Sequence, residues 1–267
     1  MPPKRTATQA SLLTESQAAN KRYKQVIDEV ADEHVCPITF ELPIDPVTAE
    51  DGRVYERCAI EEWFDRQPQP QVKSPVTNEP MGKRLFPAVQ LRNTLKRLVE
   101  SGAISGSKAD AWKQAMAEEA EVAVTRQKAE GGDAYSMKVL GIWYHEGKHG
   151  MKKDATQAFM WFKRAADLDD LDSLYACGTA YLTGLGVTSS DTRGIIMMGM
   201  AAVMGSAHAC YFLGRSNEKG RCGFDKDPQE ATRWYRKIQK CDNRGSTLSC
   251  LEVHRRENAA AWLREHP

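Results

Sequence analysis

No Cys-x-x-Cys pair occurs anywhere in this 267-residue chain, and between residues 31 and 104 the only Cys or His side chains are His34, Cys36 and Cys58. A closed structural zinc site needs four such ligands at close spacing. That segment is therefore not built around zinc. Cys36, Cys58, Cys177, Cys210, Cys222, Cys241 and Cys250 are scattered and odd in number, which argues against a disulfide framework and for a reducing compartment. The cytoplasm is expected, with the nucleus open. An excess of one charge is missing too: 37 Lys and Arg against 36 Asp and Glu leave +1. No global field draws nucleic acid or a membrane surface. There is no N-terminal apolar leader and no apolar run long enough to span a bilayer, so neither secretion nor membrane insertion is expected. A phosphate-cradling Gly motif and a serine-hydrolase elbow are also lacking. No cofactor is expected.

What is present divides the chain. Its length suits two compact domains. Residues 1–30 are a polar tail whose apolar spacing improves at Tyr23, Val26, Ile27 and Val30 into a lead-in helix. Lys4-Arg5 and Lys21-Arg22-Tyr23-Lys24 read as solvated basic residues, with a split nuclear-import signal as the alternative. Within residues 31–104, Asp51-Gly52 between two apolar runs predicts a two-residue hairpin turn. Ala59, Ile60, Trp63 and Phe64 predict a helix. Pro68–Pro80 holds four prolines and predicts irregular chain. Leu91, Leu95, Leu98 and Val99 predict a second amphipathic helix. Residues 105–130 are rich in strong helix formers and predict a connecting helix.

Residues 131–241 repeat. With Leu140-Gly141, Cys177-Gly178 and Leu213-Gly214 in register, the offsets are 37 and 36 residues. The same offsets align Gly147, Gly184 and Gly220, then Asp154, Asp191 and Asp227. They also align Ala158, Ile195 and Ala231, and Trp161, Met198 and Trp234. A period in this range predicts stacked helix pairs. Residues 242–267 predict a capping helix near Ser249–Arg264.

The order Cys36-Pro37-Ile38-Thr39-Phe40-Glu41-Leu42, Asp45-Pro46-Val47, Asp51-Gly52-Arg53-Val54-Tyr55, Ile60-Glu61-Glu62-Trp63-Phe64, Ser74-Pro75-Val76-Thr77-Asn78-Glu79-Pro80 and Leu85-Phe86-Pro87 resembles the U-box family, the zinc-free relatives of RING ubiquitin ligases. The pattern Leu140-Gly141, Tyr144, Gly147, Ala158, Trp161, Ala165-Ala166 resembles Sel1-like repeats, cousins of tetratricopeptide repeats. The fold class implied is an α+β U-box followed by an all-α solenoid. In a U-box, side-chain hydrogen bonds and ion pairs stand in for metal ligation. Asp45, Glu56, Arg57, Ser74, Thr77, Asn78 and Glu79 supply the polar groups, in pairs that the sequence leaves open.

The resemblance implies an E3 ubiquitin-protein ligase whose partners are a ubiquitin-conjugating enzyme (E2), ubiquitin, and a protein substrate or adaptor held by the repeats. A second copy of the chain remains among the admissible partners. No catalytic nucleophile is expected, since no motif of a thioester-forming ligase surrounds Cys36. The implied E2-binding residues are Ile38, Trp63 and Pro75, with Phe40 as a neighbour, and a Trp and an Ile beside a rigid proline loop suit an interface hot spot. A core role for Ile38 and Trp63 is the competing reading, as is a loop role for Pro75. Asn78 stands where many such ligases carry a basic residue that orients ubiquitin. The alternatives are a non-catalytic interaction scaffold and a chain-elongation or chaperone-linked factor. His145 and His149 flank a helix-ending Gly147 and are read as loop residues rather than metal ligands. His208 is read as packed, and Trp112, Trp161, Trp234 and Trp262 as core.

Overall fold

A computed structural model describes residues 31–67, 72–238 and 250–266, with residues 22, 23, 26 and 27 before them. Lys4, Arg5, Lys21 and Lys24, and most of the expected lead-in helix, lie outside the described residues. The chain divides into two compact units, residues 1–119 and 120–267.

In the first unit, β1 (Pro46–Ala49), β2 (Val54–Glu56) and β5 (Leu85–Pro87) form an antiparallel sheet in the order β2-β1-β5. Val47 lies opposite both Tyr55 and Pro87. Strand alternation sends Val47, Ala49 and Tyr55 inward. There they meet Ile60 and Phe64 of α1 (Arg57–Arg66) and the buried Cys36. The β1–β2 turn is longer than the Asp51-Gly52 pair predicts. The Ala49 N–H bonds the Arg53 carbonyl at 2.9 Å and the Gly52 N–H bonds the Ala49 carbonyl at 3.0 Å. Gly52 has φ 76°. This is a three-residue loop closed by a left-handed glycine, the bulged form of hairpin.

The proline-rich stretch needs a similar correction. Val72–Lys73 (β3) and Pro80–Met81 (β4) pair antiparallel around residues 74–79. Proline is tolerated there because a two-residue ladder is all edge. A second cluster joins Leu95 and Val99 of α2 (Val89–Glu100) to Leu42, Ile104, Ala109 and Trp112. Ala109 and Trp112 belong to α3 (Ser107–Glu130), and the Trp112 indole N–H bonds the Pro43 carbonyl at 3.2 Å. The first turns of that helix therefore complete the core of the first unit.

The second unit is a run of helix pairs: α4 (Ala134–Glu146) with α5 (Ala155–Ala166), α6 (Leu171–Thr183) with α7 (Asp191–Val203), and α8 (Ala207–Lys219) with α9 (Pro228–Ile238). A last helix, α10 (Cys250–Glu265), follows. Each first helix opens on a side-chain cap, from Asp133, Asp170 and Ser206. Each ends on a left-handed glycine, Gly147, Gly184 and Gly220, where any other residue would meet a steric penalty. Gly141, Gly178 and Gly214 let the paired helices close up. A Cβ at Gly214 would lie 2.5 Å from the Tyr235 ring, and one at Gly141 2.7 Å from Phe162.

The second helix of repeat two departs from the sequence register. Asp191 is its first residue, not its cap. Ser190 is the cap and accepts from the Arg193 N–H. The turn between Gly184 and Ser190 is one residue shorter than the one between Gly147 and Asp154. The buried column is therefore Ala158, Gly194, Ala231, not Ala158, Ile195, Ala231. Met198 then matches Phe162 and Tyr235, the residues facing the three close-approach glycines. Met197, not Met198, takes the place of Trp161. A serine caps as well as an aspartate, so the Asp column misplaces the helix start.

Candidate functional site

Two loops of the first unit are copies of each other. Cys36-Pro37-Ile38-Thr39-Phe40-Glu41 and Ser74-Pro75-Val76-Thr77-Asn78-Glu79 lie 38 residues apart. Each is closed by the same bonds. Cys36 N–H to Glu41 carbonyl and Ser74 N–H to Glu79 carbonyl are both 2.9 Å. Phe40 N–H to Cys36 carbonyl is 2.8 Å, and Asn78 N–H to Ser74 carbonyl is 3.0 Å. The Thr39 and Thr77 hydroxyls accept from the Glu41 and Glu79 N–H groups. Phe40 and Asn78 both take positive φ, 60° and 59°.

Polar side chains hold the two loops. Cys36 is fully buried and its Sγ accepts the Glu56 N–H at 3.2 Å. The Glu56 carboxylate accepts the Ile44 N–H at 2.6 Å and the Asp45 N–H at 3.2 Å. Burial pushes that carboxyl up despite these bonds. Arg57 Nε donates to Asp45 at 2.6 Å; both side chains are about one third exposed or more, so the pair contributes about 1 kcal/mol at most. Under the second loop, the buried Ser74 hydroxyl donates to Asp51 at 2.6 Å and accepts the Val76 and Thr77 N–H groups at 3.2 Å. Asp51 also accepts from the Tyr55 hydroxyl at 2.7 Å. Burial raises the Asp51 carboxyl, but the bonds from Ser74, Tyr55 and Arg53 outweigh it and hold the group below its ordinary value. The same burial and the Asp51 bond push the Tyr55 phenol up. Glu50 bonds the Gly82 N–H at 3.0 Å and the Arg84 N–H at 3.3 Å.

The pairs that the sequence left open are thus Arg57–Asp45, Glu56 with the 44–45 backbone, and Ser74 with Asp51. Asp51, Tyr55 and Glu50 were missed as members of this network. The Asp51-Gly52 pair reads as turn chemistry, which conceals the second use of the aspartate. Among the described residues, no three His, Cys, Asp or Glu side chains gather where a metal ion could be held.

The five sequence-chosen site residues fall on the two loops and the helix between them. Ile38 and Trp63 are half-buried and pack on one cluster with Cys36, Val47, Ile60 and Phe64. The Trp63 indole N–H donates to the Lys73 carbonyl at 2.8 Å, tying α1 to the residue before the second loop. Pro75 is half-buried and Asn78 is exposed. Phe40 is 74% exposed. A bulky residue at positive φ with its ring in water gains nothing from packing, so the loop holds it there against a conformational cost of roughly 1–2 kcal/mol. Val76, 43% exposed beside Pro75, is an apolar contact that sequence reasoning did not single out.

Residues 30–102 match the U-box domain family, and residues 134–170, 171–206 and 207–238 match the Sel1 repeat family. The chain is a U-box domain joined to three Sel1 repeats. Each repeat match begins one residue after a first-helix cap, Asp133, Asp170 or Ser206. Across the U-box, the chain is 34% identical over 85 residues to U-box domain-containing protein 43 of Arabidopsis thaliana, covering 30% of this chain and 10% of that protein. It is 40% identical over 67 residues to "Putative E3 ubiquitin-protein ligase LIN-1" of Lotus japonicus, covering 25% of this chain and 4% of that protein. The chain thus spans a tenth or less of the length of these curated relatives. A crystal structure of a Sel1 repeat protein from Oxalobacter formigenes aligns at 27% identity with a TM-score of 0.40, covering 44% of this chain and 88% of that one.

Proposed function

We propose that this U-box protein is an E3 ubiquitin-protein ligase. Its two loops and α1 receive a ubiquitin-charged E2, and its Sel1 repeats hold the substrate or an adaptor. The observation that carries the reading is Phe40: an exposed aromatic ring in a left-handed conformation, on a loop whose Ile38 rests on the core beside Trp63. Rigid backbone with exposed apolar groups is what a docking hot spot requires.

The chemistry belongs to the E2. Its thioester to ubiquitin breaks, a substrate lysine amine attacks the carbonyl, and an isopeptide bond forms. The U-box contributes orientation, which lowers the barrier by fixing one attack-ready geometry. Asn78, exposed on the second loop, can donate hydrogen bonds to both partners. Neither cysteine of the unit suits a covalent relay. Cys36 is sealed and hydrogen-bonded, and burial and the Glu56 charge raise the Cys58 thiol away from the reactive thiolate. The Cys36, Cys58, Cys177 and Cys222 thiols stand outside any disulfide among the described residues, and a reducing compartment, the cytoplasm or nucleus, is part of this reading. The test is release of ubiquitin from a charged E2 when the chain is added, across a panel of conjugating enzymes. Acceleration with at least one supports the reading. Inertness of the folded chain with all of them would leave an interaction scaffold.

A further inference from the structure

Tyr175 of α6 stands where two hollows of the second unit meet. On one side a cavity of about 220 Å³ is walled by Phe159, Phe162, Ala158, Ala176 and Ala180. On the other, a cavity of about 310 Å³ is lined by Tyr211, Arg215, Lys219, Arg221 and Arg255, and no carboxylate lines it. The Arg255 guanidinium lies 5.6 Å from the Tyr175 ring centre and 5.9 Å from that of Tyr211. Both rings lie within cation–π range of it. Its Nη2 donates to the Tyr175 hydroxyl at 3.5 Å, while its Nη1 is buried and has no hydrogen-bond partner among the described residues. Arg215 and Lys219 share Glu218, at 3.4 and 3.2 Å, and that carboxylate also accepts from the Tyr235 hydroxyl at 2.7 Å. Arg221 is exposed and makes no ion pair among the described residues. Four cations thus line a hollow that no carboxylate lines, while Glu218 and Glu265 line the adjoining one that shares Arg215 and Arg255, in a chain whose whole net charge is +1.

We infer that this groove binds an acidic peptide, an extended protein segment with an apolar side chain for the Phe159–Phe162 hollow and carboxylates for Arg215, Arg221 and Arg255. The inference rests on the repeats being the substrate or adaptor arm and names the class of segment that arm takes. Both hollows share Tyr175, so one extended strand, rising about 3.3 Å per residue, reaches both within a few residues. Charge complementarity selects the acidic partner and suppresses basic ones. Nucleic acid fits less well. Its phosphates recur at every step and want an unbroken cationic stripe, whereas the stripe here stops at a wall of Phe and Ala.

The experiment is fluorescence anisotropy on the full chain with a short labelled peptide carrying a leucine followed by a run of glutamates. A peptide with lysines in place of the glutamates and a single-stranded RNA serve as controls. The glutamate peptide should bind, weaken with added salt, and bind at least about tenfold more tightly than the lysine peptide. Arg221→Glu, at an exposed position that leaves the fold intact, should weaken it about tenfold, as should Lys219→Glu. Equal binding of the two peptides, no loss in either charge-reversed variant, or tighter binding of the RNA would each overturn the inference. The same samples are assayed for release of ubiquitin from charged E2. Release without selective peptide binding defeats the groove and leaves the ligase reading standing. Selective peptide binding without release supports the groove and defeats the ligase reading.

Discussion

Phe40 and Asn78 occupy equivalent places in two equivalent loops, yet they differ in cost. Asn tolerates the left-handed conformation, while Phe does so only under constraint. Phe40→Gly should therefore leave the melting temperature unchanged or raise it, because it removes an exposed ring and relaxes the backbone. E2 affinity should nevertheless fall about thirtyfold, the size of a hot-spot loss of about 2 kcal/mol. A variant that melts lower and binds normally would make the ring a packing residue. Asp51 offers a second test at this scale. Its native carboxyl lies below the ordinary value because Ser74, Tyr55 and Arg53 stabilise the anion against burial. The folded state then takes up a proton less readily than the unfolded one. The resulting stability is present above the ordinary aspartate range and is lost as pH falls through the native value. Glu56 works in the opposite direction, since burial raises it. Comparing the wild type with Asp51→Asn in urea unfolding isolates the aspartate. The variant should be less stable at neutral pH, and the gap should close in acid. A gap that stays constant with pH would remove the charge from the account.

At the scale of elements, the repeats test close packing. A methyl at Gly214 meets the Tyr235 ring at 2.5 Å, while one at Gly199 of α7 meets nothing within 4 Å. Gly214→Ala should destabilise by about 1–3 kcal/mol through overpacking. Gly199→Ala should stabilise by about 0.5–1 kcal/mol, since it stiffens a helix interior at no steric cost. Similar effects in chemical denaturation would show that helix propensity, not approach distance, decides these sites. Much of this architecture is legible in the sequence. The three Leu-Gly or Cys-Gly steps and the three helix-ending glycines are fixed by sterics that act on single residues. What the sequence hides is any choice between equivalent groups. Ser190 and Asp191 both cap well, and only the length of the turn before them decides, which slips repeat two by one residue. The Asp51-Gly52 turn is legible as a turn but not as a three-residue one, because Glu50 joins it through bonds to Gly82 and Arg84 distant in the chain. Pro75 and Trp63 are legible as a pair of candidates. The Trp63 bond to the Lys73 carbonyl is not, because nothing local predicts it.

At the scale of the whole molecule, the helix α3 sets where the first unit can be cut. Trp112 is 4% exposed and sits in the cluster of Leu95 and Val99. A fragment ending at residue 119 should unfold cooperatively and release ubiquitin from charged E2. One ending at residue 104 should melt well below it, since losing a buried Trp typically costs about 3–5 kcal/mol. Equal melting would place Trp112 outside the folding unit. The account's central claim is that the loop pair docks an E2, and one measurement tests it most directly. Binding of an E2 that the chain discharges is compared for the wild type, Ile38→Ala and Pro75→Ala, with the melting temperature of each read alongside. Both variants should stay folded and bind about thirtyfold more weakly. Folded variants that bind and discharge the E2 as the wild type does would contradict it.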